Sequence, residues 1–232
     1  MNLDDRAAAE LIVRELERRK QRTKIETFYQ TPENRAGYPV HMAFFDAGNT
    51  YRERLILAGN RTGKTESIGG YETVLHLTGK YPEWWGGRRF AKPVSWWIGG
   101  DTATTVRDII QLKLLGLVGS FGTGLIPGDL LIDTTNKRGV PDAVENIYVK
   151  HASGGRSVAQ LKSYDQGREA WQGTEQHGIW LDEEPPMPIY SEALMRTMTT
   201  NGMVMLTFTP MLGMTEVTQS FIDSGFHGVP KT

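Results

Sequence analysis

The 232-residue sequence predicts an α/β fold in which a mainly parallel sheet is covered by helices on both faces. Short, nearly all-apolar runs alternate with helix-like segments, and such runs are typical of strands that are buried on both faces. Hydrophobic residues make up 39% of the chain and charged residues 23%, which excludes a disordered chain. The length fits one large domain, or a domain with a small appendage.

The composition also excludes several classes of protein. There is no cysteine, so disulfide scaffolds, thiolate metal sites and cysteine nucleophiles are ruled out, and a reducing cytoplasm is permitted. No apolar run approaches the ~20 residues of a membrane span, and the first residues are too charged for a signal peptide. Because the formal net charge is −1, any contact with nucleic acid must come from local patches.

The predicted elements follow from these runs. Five apolar runs are predicted to be strands of the parallel sheet: residues 55–58, 93–99, 158–163, 178–182 and 203–207. Two segments are predicted to be helices: residues 63–77, and residues 102–115 with Thr102 or Asp101 as the cap. The glycine-rich segment between residues 116 and 155 is predicted to hold a hairpin of residues 130–133 and 147–150.

The N-terminal region is set apart by composition. Residues 4–22 are predicted to form a helix, with acids at its start, basic residues at its end and a narrow apolar stripe expected to pack across the domain. Residues 29–49 are rich in Pro, Gly and aromatics, which suggests an irregular entry loop. We therefore expect an N-terminal helix and entry segment over residues 1–40, packing on a main domain of residues 41–232.

The segment Ala58-Gly-Asn-Arg-Thr-Gly-Lys-Thr65 follows a predicted strand and opens a predicted helix. This context and the Gly-Lys-Thr ending match the phosphate-binding loop, or P-loop, in which backbone N–H groups and a helix N-terminus converge on phosphate oxygens. Lys64 is expected to reach the β- and γ-phosphates and Thr65 to offer a hydroxyl to Mg²⁺. The predicted nucleotide-binding residues are Ala58, Gly59, Asn60, Arg61, Thr62, Gly63, Lys64 and Thr65.

One position departs from the pattern. Ala58 stands where the P-loop has its first glycine. An alanine is tolerated there if its φ is negative, and Gly59 is expected to supply the missing flexibility.

A second motif, Gly178-Ile-Trp-Leu-Asp-Glu-Glu184, is a buried-strand pattern that ends in three carboxylates. Asp182 is predicted to hold Mg²⁺ and Glu183 to polarise the attacking water. Adjacent carboxylates disfavour joint ionisation unless a cation compensates, and Lys64 with Mg²⁺ would do so. The adjacent Asp and Glu indicate the RecA-like (ASCE) branch of the P-loop NTPases, in which an extra strand separates the P-loop strand from the acidic strand. Residues 158–163 or 96–99 are predicted to supply it.

Two further observations bear on the nucleotide and its effect. GTPases usually select guanine with N-K-x-D, and the one near match, residues 136–139, lacks the aspartate, so GTP is not expected. The strand after the acidic motif ends in Thr207-Phe-Thr-Pro210. Thr207 or Thr209 is a candidate for sensing hydrolysis, and both can equally serve the turn before the proline.

Together these motifs resemble the large terminase subunit of tailed bacteriophages, the ATPase that drives DNA into the procapsid. The likeness rests on residues 57–65, 163–173, 180–185 and 207–210, and it spans roughly residues 41–216. The P-loop and acidic motif alone would also fit superfamily 2 helicases, whereas the combination favours terminase.

The resemblance implies a set of site residues. Lys64 and Thr65 would bind ATP and Mg²⁺, Asp182 would hold the metal, and Glu183 would be the catalytic base. Arg61 matches the family's basic residue inside the P-loop and would touch the γ-phosphate or couple the loop to its neighbours. The adenine-packing element lies upstream in this family, and its candidates are equally able to be core or turn residues: Tyr38, His41, Phe44 and Phe45.

The resemblance also implies partners. The partners are double-stranded DNA held by its backbone, the portal and the small terminase subunit. The chain is expected to form a homo-oligomeric ring on the procapsid in the host cytoplasm, with no membrane. The isolated domain is expected to be monomeric. A ring neighbour would complete the site with an arginine, for which the candidates are Arg168, Arg107, Arg88 and Arg89. The basic loop residues available for DNA, or simply solvated, are Arg88, Arg89, Lys92, Lys137, Arg138 and Arg156.

Large terminases also carry a C-terminal nuclease domain, but the sequence shows no second carboxylate cluster. We therefore expect an ATPase domain without the nuclease domain, which would not cut DNA. Two alternatives remain open from the sequence: a helicase-like or remodelling P-loop ATPase, and a nucleotide-binding module in which ATP only orders an assembly interface.

Overall fold

The computed structural model describes residues 10–16, 24–59, 62–210 and 213–223. Seven strands form one sheet in the order β1-β7-β6-β2-β5-β4-β3. The strands are β1 (Glu53–Leu57), β2 (Ser95–Gly100), β3 (Leu131–Asn136), β4 (Val144–Lys150), β5 (Arg156–Ser163), β6 (Gly178–Asp182) and β7 (Met203–Phe208).

The sheet is mainly parallel, as the sequence predicts. Strands β1, β7, β6, β2 and β5 run in one direction, and the predicted hairpin of β3 and β4 extends the sheet in antiparallel pairing. An extra strand does separate β1 from the acidic strand β6, but it is β7 and not residues 158–163 or 96–99. That part of the prediction was wrong because crossover connections, and not local composition, set the order of the strands.

Residues of the parallel strands alternate between two cores, one on each face of the sheet. Trp96, Trp180 and Met205 belong to the first core, which the helix after the P-loop covers. Trp97 and Leu206 belong to the second core, which a helix after β6 covers. Burial of both faces explains why these strands are continuous apolar runs in the sequence.

The α-helices are α1 (Lys24–Thr27), α2 (Pro32–Ala36), α3 (Pro39–Ala47), α4 (Tyr71–Thr78), α5 (Ala103–Thr105), α6 (Leu112–Leu115), α7 (Met187–Met198) and α8 (Glu216–Asp223). The described residues also form two π-helical turns: Lys64–Gly70 leads into α4, and Val106–Gln111 joins α5 to α6. Both predicted helices are therefore present, although the sequence did not indicate their π-helical turns. Thr102 is the cap of the second helix, since its hydroxyl accepts from the Thr105 N–H at 3.2 Å.

The entry segment is more regular than the sequence predicts. Instead of an irregular loop, α2 and α3 form, because Pro32 and Pro39 occupy first-turn positions where no N–H is needed. The buried Tyr29 fastens the segment to the domain, since its hydroxyl donates to the Ser67 carbonyl at 2.7 Å.

The predicted N-terminal helix is described only over residues 10–16, which are helical. Leu11, Ile12 and Leu16 are exposed there, so this part of the apolar stripe does not pack on the core as expected. The rest of the predicted helix lies outside the described residues.

A buried ion pair joins β1 to α4. The Arg54 guanidinium donates to both carboxylate oxygens of Glu72, at 2.6 and 3.0 Å, and His76 contacts the same carboxylate at 3.1 Å. Burial alone would raise the pKa of Glu72, but Arg54 and His76 outweigh it and hold that pKa below its ordinary value. Removing one partner of such a pair typically lowers the free energy of unfolding by about 3–5 kcal/mol. The contact therefore favours the observed position of α4 on β1.

Among the described residues, no helix combines the length and hydrophobicity that a membrane crossing requires.

Gly69 sets how closely the helix after the P-loop approaches β6. A Cβ at Gly69 would lie 2.1 Å from Cε2 of Trp180, so we expect Gly69→Ala to lower the free energy of unfolding by at least about 2 kcal/mol. Urea unfolding followed by circular dichroism measures this. Gly37→Ala is the control, because a Cβ there meets the Asn34 carbonyl oxygen at an ordinary 3.4 Å. Equal stability of the two variants would contradict the packing argument.

Lys162 of β5 is a buried cation. Its ammonium donates to the Ala170 carbonyl at 2.6 Å and lies 4.4 Å from the Trp97 ring centroid, and burial lowers its pKa from 10.5 to about 8. The unfolded chain therefore binds more protons between these values, and stability rises with pH across that window. We expect Lys162→Met to remove this rise, roughly 1–2 kcal/mol after solvent screening. Urea unfolding at about pH 7.5 and about pH 9.5 tests it; an unchanged pH dependence in the variant would refute it.

Candidate nucleotide-binding site

The carboxyl ends of the parallel strands bring both sequence motifs to one edge of the sheet. The P-loop follows β1, Thr209 follows β7, and Asp182 is the last residue of β6. Because β7 lies between the other two strands, its end stands between the P-loop and the acidic pair. We call this the carboxyl edge.

The P-loop turn depends on Gly63. Its φ is +82°, and a Cβ there would lie 2.4 Å from the Ser67 hydroxyl oxygen, so both the backbone and the space require glycine. Ala58 is not among the residues with positive φ, which explains why an alanine is tolerated in place of the first glycine. Gly59 does not use its extra freedom either, since its φ is also outside the left-handed region. Asn60 and Arg61 lie outside the described residues.

Lys64 points to the end of β7. Its side chain is buried, and its ammonium donates to the Thr209 hydroxyl at 2.7 Å and approaches the Gly59 carbonyl at 3.4 Å. Thr209 in turn donates to the Ala58 carbonyl at 2.9 Å. The lysine, the loop and the candidate sensor threonine therefore form one hydrogen-bonded group.

Asp182 lies at the same carboxyl edge, at the end of β6, and its side chain is 3% exposed. The Thr65 hydroxyl donates to its two carboxylate oxygens at 3.0 and 3.1 Å, and the Thr207 hydroxyl donates to one of them at 2.7 Å. The Trp180 indole N–H holds the Thr207 oxygen at 2.8 Å. Burial raises the pKa of Asp182 to about 7, although the two hydroxyls act in the opposite direction.

This donor set fits a magnesium ion. A buried carboxylate and a threonine hydroxyl are hard oxygen ligands of the kind that Mg²⁺ takes, usually together with phosphate oxygens. Burial raises the pKa of the Asp182 carboxyl, and a divalent cation beside it would favour the ionised form. Thr65 and Asp182 therefore remain the residues expected to hold the metal.

Glu183 has an exposed side chain and a left-handed backbone, with φ of +66°. Two contacts hold this conformation: its N–H donates to the Thr207 carbonyl at 3.1 Å, and the buried Tyr164 hydroxyl approaches the carbonyls of Asp182 and Glu183 at 3.1 and 3.0 Å. Non-glycine residues in this region are uncommon and are often held so at functional sites.

Sequence reasoning missed Tyr164 as a site residue. It lies in the run 163–173 that carries part of the resemblance, but nothing in that run indicates that its hydroxyl reaches two carbonyls of the acidic motif. Glu184, the third acid, turns away to accept hydrogen bonds from the Thr215 and Thr218 hydroxyls at the start of α8.

The candidate adenine residues separate into two kinds. Phe44 and Phe45 are core residues, so the second of their two interpretations holds. His41 is buried, and its Nδ1 lies 2.7 Å from the Tyr29 hydroxyl. Tyr38 is 47% exposed and stacks on His41 with centroids 5.0 Å apart, which makes it the exposed member of the group.

The candidate arginines also separate. Arg107 lies at the carboxyl edge, where it donates to the Pro141 carbonyl at 3.0 Å, whereas Arg168 donates to Glu192 in the middle of α7 at 3.0 Å. Arg88 and Arg89 lie near the opposite edge, where their guanidinium groups donate to backbone carbonyls before β7 and in the loop before β2.

The site is that of a P-loop NTPase of the additional-strand type. It combines a left-handed glycine turn, a buried lysine, and a threonine of the P-loop helix that bonds to an acid on β6, two strands from β1 in the sheet. The sequence identifies the group within that class. Residues 55–225 match the family described as "Terminase large subunit, T4likevirus-type, N-terminal", and the chain belongs to this family of phage large terminases.

The proteins similar to this chain include a curated large terminase and solved structures of large terminases. The chain is 40% identical over 207 residues to the large terminase subunit of Salmonella phage P22, a match that covers 81% of this chain and 41% of that protein. The large terminase ATPase domain of Thermus phage P74-26 shares the fold, with a TM-score of 0.58, 22% identity, and 87% and 77% of the two chains covered. The large terminase of a thermophilic bacteriophage, in its second crystal form, gives a TM-score of 0.50 and 13% identity, with 82% and 39% covered.

Removing the Tyr164 hydroxyl tests its contact with the acidic pair. We expect Tyr164→Phe to lower the turnover of ATP about tenfold, since one hydrogen bond that orients Glu183 is lost, and to leave the affinity for nucleotide unchanged. Steady-state kinetics separates kcat from KM. Tyr190→Phe is the matched control, because its hydroxyl donates instead to Glu53, at the start of β1. A KM effect without a kcat effect would contradict the positioning role.

Proposed function

We propose that this chain is the ATPase motor domain of a phage DNA-packaging terminase, which hydrolyses ATP to move double-stranded DNA into a procapsid. The observation that carries the proposal is the convergence of Lys64, Thr65 and Asp182 at the carboxyl edge, where Thr65 donates to Asp182 and where Thr209 and Thr207 of one chain segment bond Lys64 and Asp182 respectively. Membership of the terminase family supports the DNA-packaging role. The chain spans about two fifths of its P22 relative, and the action of the whole protein belongs to this proposal.

The residues divide the work of ATP hydrolysis. The P-loop amides and Lys64 bind the β- and γ-phosphates, and Arg61 lies in the same loop. Thr65 and Asp182 hold Mg²⁺, which supplies charge neutralisation at the phosphates when bound. Glu183 accepts a proton from the attacking water, and the Tyr164 hydroxyl holds its backbone in place. Tyr38 is the proposed adenine contact.

Thr207 and Thr209 couple the site to the sheet. The Lys64 ammonium proposed to bind phosphate also donates to Thr209, so a movement of Lys64 toward the phosphate changes its contact with the end of β7. Thr207 shares the Asp182 carboxylate with Thr65, so any change in metal coordination reaches the same strand. Strand β7 is therefore the proposed first element to respond to hydrolysis.

Neighbouring subunits are proposed to complete the site. Phosphoryl transfer leaves charge on the γ-phosphate oxygens that an arginine can stabilise from outside the chain. Arg107 is the candidate that lies at the carboxyl edge, and Arg168 is a second candidate, paired with Glu192 of α7. The proposed assembly is a ring on the procapsid, with the portal and small terminase subunit as partners, acting in the host cytoplasm.

Glu183→Gln tests the catalytic assignment. We expect the variant to bind ATP and to lose turnover at least about a hundredfold, because an amide cannot accept the proton. Phosphate release and nucleotide affinity are measured side by side. Glu184→Gln is the matched control, since that acid bonds to Thr215 and Thr218 and should keep turnover within about threefold.

The outcomes separate the alternatives. Full turnover in Glu183→Gln would reject the assignment, and no turnover in the unmodified protein would favour a binding module that only orders an interface. ATP turnover that requires single-stranded DNA, together with duplex unwinding, would favour a helicase-like ATPase. Lys64→Ala should abolish binding under every one of these hypotheses, so it serves as the negative control.

A further inference from the structure

The edge of the sheet opposite the nucleotide site carries a group of cations. The amino ends of the parallel strands meet there, with the loop before β2 and the β4–β5 hairpin turn as its surface. We call the following residues the basic edge: Lys80, Arg88, Arg89, Lys92, Lys150 and Arg156. Lys80, Arg89, Lys92, Lys150 and Arg156 are exposed, and Arg88 is half-buried.

The two loops form one continuous surface. The Ala152 N–H of the hairpin turn donates to the Thr78 carbonyl at 2.7 Å, just before Lys80. A Cβ at Gly155 would lie 2.4 Å from Pro93, next to Lys92, so the turn also touches the start of β2. Lys150 pairs with Arg156 across the hairpin. These contacts bring cations that are far apart in the sequence to one face.

The charge of this surface contrasts with that of the whole chain. Residues 78–93 and 150–157 contain the six cations of the basic edge and one acid, Glu83, although the chain has a formal net charge of −1. Asp46, beside Gly86, and Glu175, whose carbonyl accepts from Ser95, lie at its margins. A concentrated positive surface on a near-neutral protein attracts polyanions.

The arginines of the basic edge are held by aromatic rings. The guanidinium carbons of Arg88, Arg89 and Arg156 lie 4.7, 5.4 and 4.6 Å from the ring centroids that they cover. The rings belong to Phe90, Tyr81 and Tyr148. A guanidinium stacked in this way loses little freedom on binding, and its N–H groups lie in a plane that suits phosphate oxygens.

We propose that the basic edge binds the phosphate backbone of double-stranded DNA. Strands β6, β2, β5 and β4 span about 15 Å at their usual spacing, which matches roughly four phosphates of one DNA strand. Backbone contacts of this kind carry no sequence information, as a packaging motor requires. The positive charge of the basic edge indicates an anionic partner. The choice of duplex DNA as that partner rests on the proposed function.

The helix after the P-loop connects this surface to the nucleotide site. It starts at Lys64 and ends with Thr78, and it spans roughly 20 Å of the domain. Its far end accepts the hydrogen bond from the hairpin turn and leads directly into Lys80. One helical element thereby joins the nucleotide site to the basic edge.

A double variant, Lys92→Ala with Lys150→Ala, tests the proposal in the whole chain. Binding to a fluorescent duplex of mixed sequence is measured by anisotropy over a range of salt concentrations. We expect affinity to fall at least about tenfold near 0.1 M salt, and the slope of log K against log salt to decrease by about 2, one for each lost phosphate contact. ATP turnover without DNA should stay unchanged.

The matched control is Lys137→Ala with Arg138→Ala, which removes the same charge from the β3–β4 turn at the carboxyl edge. Retained duplex binding in the control, with loss in the first variant, supports the basic edge. Four outcomes would each overturn the proposal. The first is loss of duplex binding in the control with retention in the first variant, and the second is no duplex binding by the unmodified chain. The others are tighter binding of single strands and an equal salt-dependent affinity for anionic phosphatidylserine vesicles. If ATP turnover persists in these cases, the proposed ATPase activity stands even though the proposed DNA surface has failed.

Discussion

The site depends on the hydrogen bonds that the buried Asp182 carboxylate accepts. It is buried at the end of β6 and accepts hydrogen bonds from Thr65 of the P-loop helix and Thr207 of β7. Three elements far apart in the sequence therefore meet at one pair of oxygen atoms. A buried carboxylate is costly unless it is hydrogen-bonded or paired with a cation, and burial raises its pKa to about 7. The fold maintains a site that a metal ion would stabilise.

The order β1-β7-β6 determines how such a site can act. Since β7 lies between the P-loop strand and the acidic strand, its hydroxyl groups at Thr207 and Thr209 contact Asp182 and Lys64 respectively. The left-handed backbone of Glu183 sits at the same place, held by the β7 carbonyl and Tyr164. The end of β7 is therefore bonded both to the lysine proposed to bind phosphate and to the acid proposed to hold the metal.

The acidic pair and the basic edge lie at opposite edges of the sheet, although the carboxyl edge also carries cations. The carboxyl edge holds the acidic pair and the P-loop, whereas the amino ends of the same strands carry the basic edge. Parallel strands produce this separation because every strand presents its start on one side and its end on the other. Of the basic loop residues found in the sequence, Lys137 and Arg138 fall at the carboxyl edge and the rest at the opposite one.

The sequence by itself determined the class of fold, the P-loop, the acidic strand tip and the family, because each is a local pattern whose residue spacing follows from backbone geometry. Only the tertiary structure decided that β7 is the separating strand, that Phe44 and Phe45 are core, and that Tyr164 reaches the acidic motif. Strand order, burial and long-range hydrogen bonds depend on which segments meet in space. The composition of a single run leaves that choice undetermined until the chain packs.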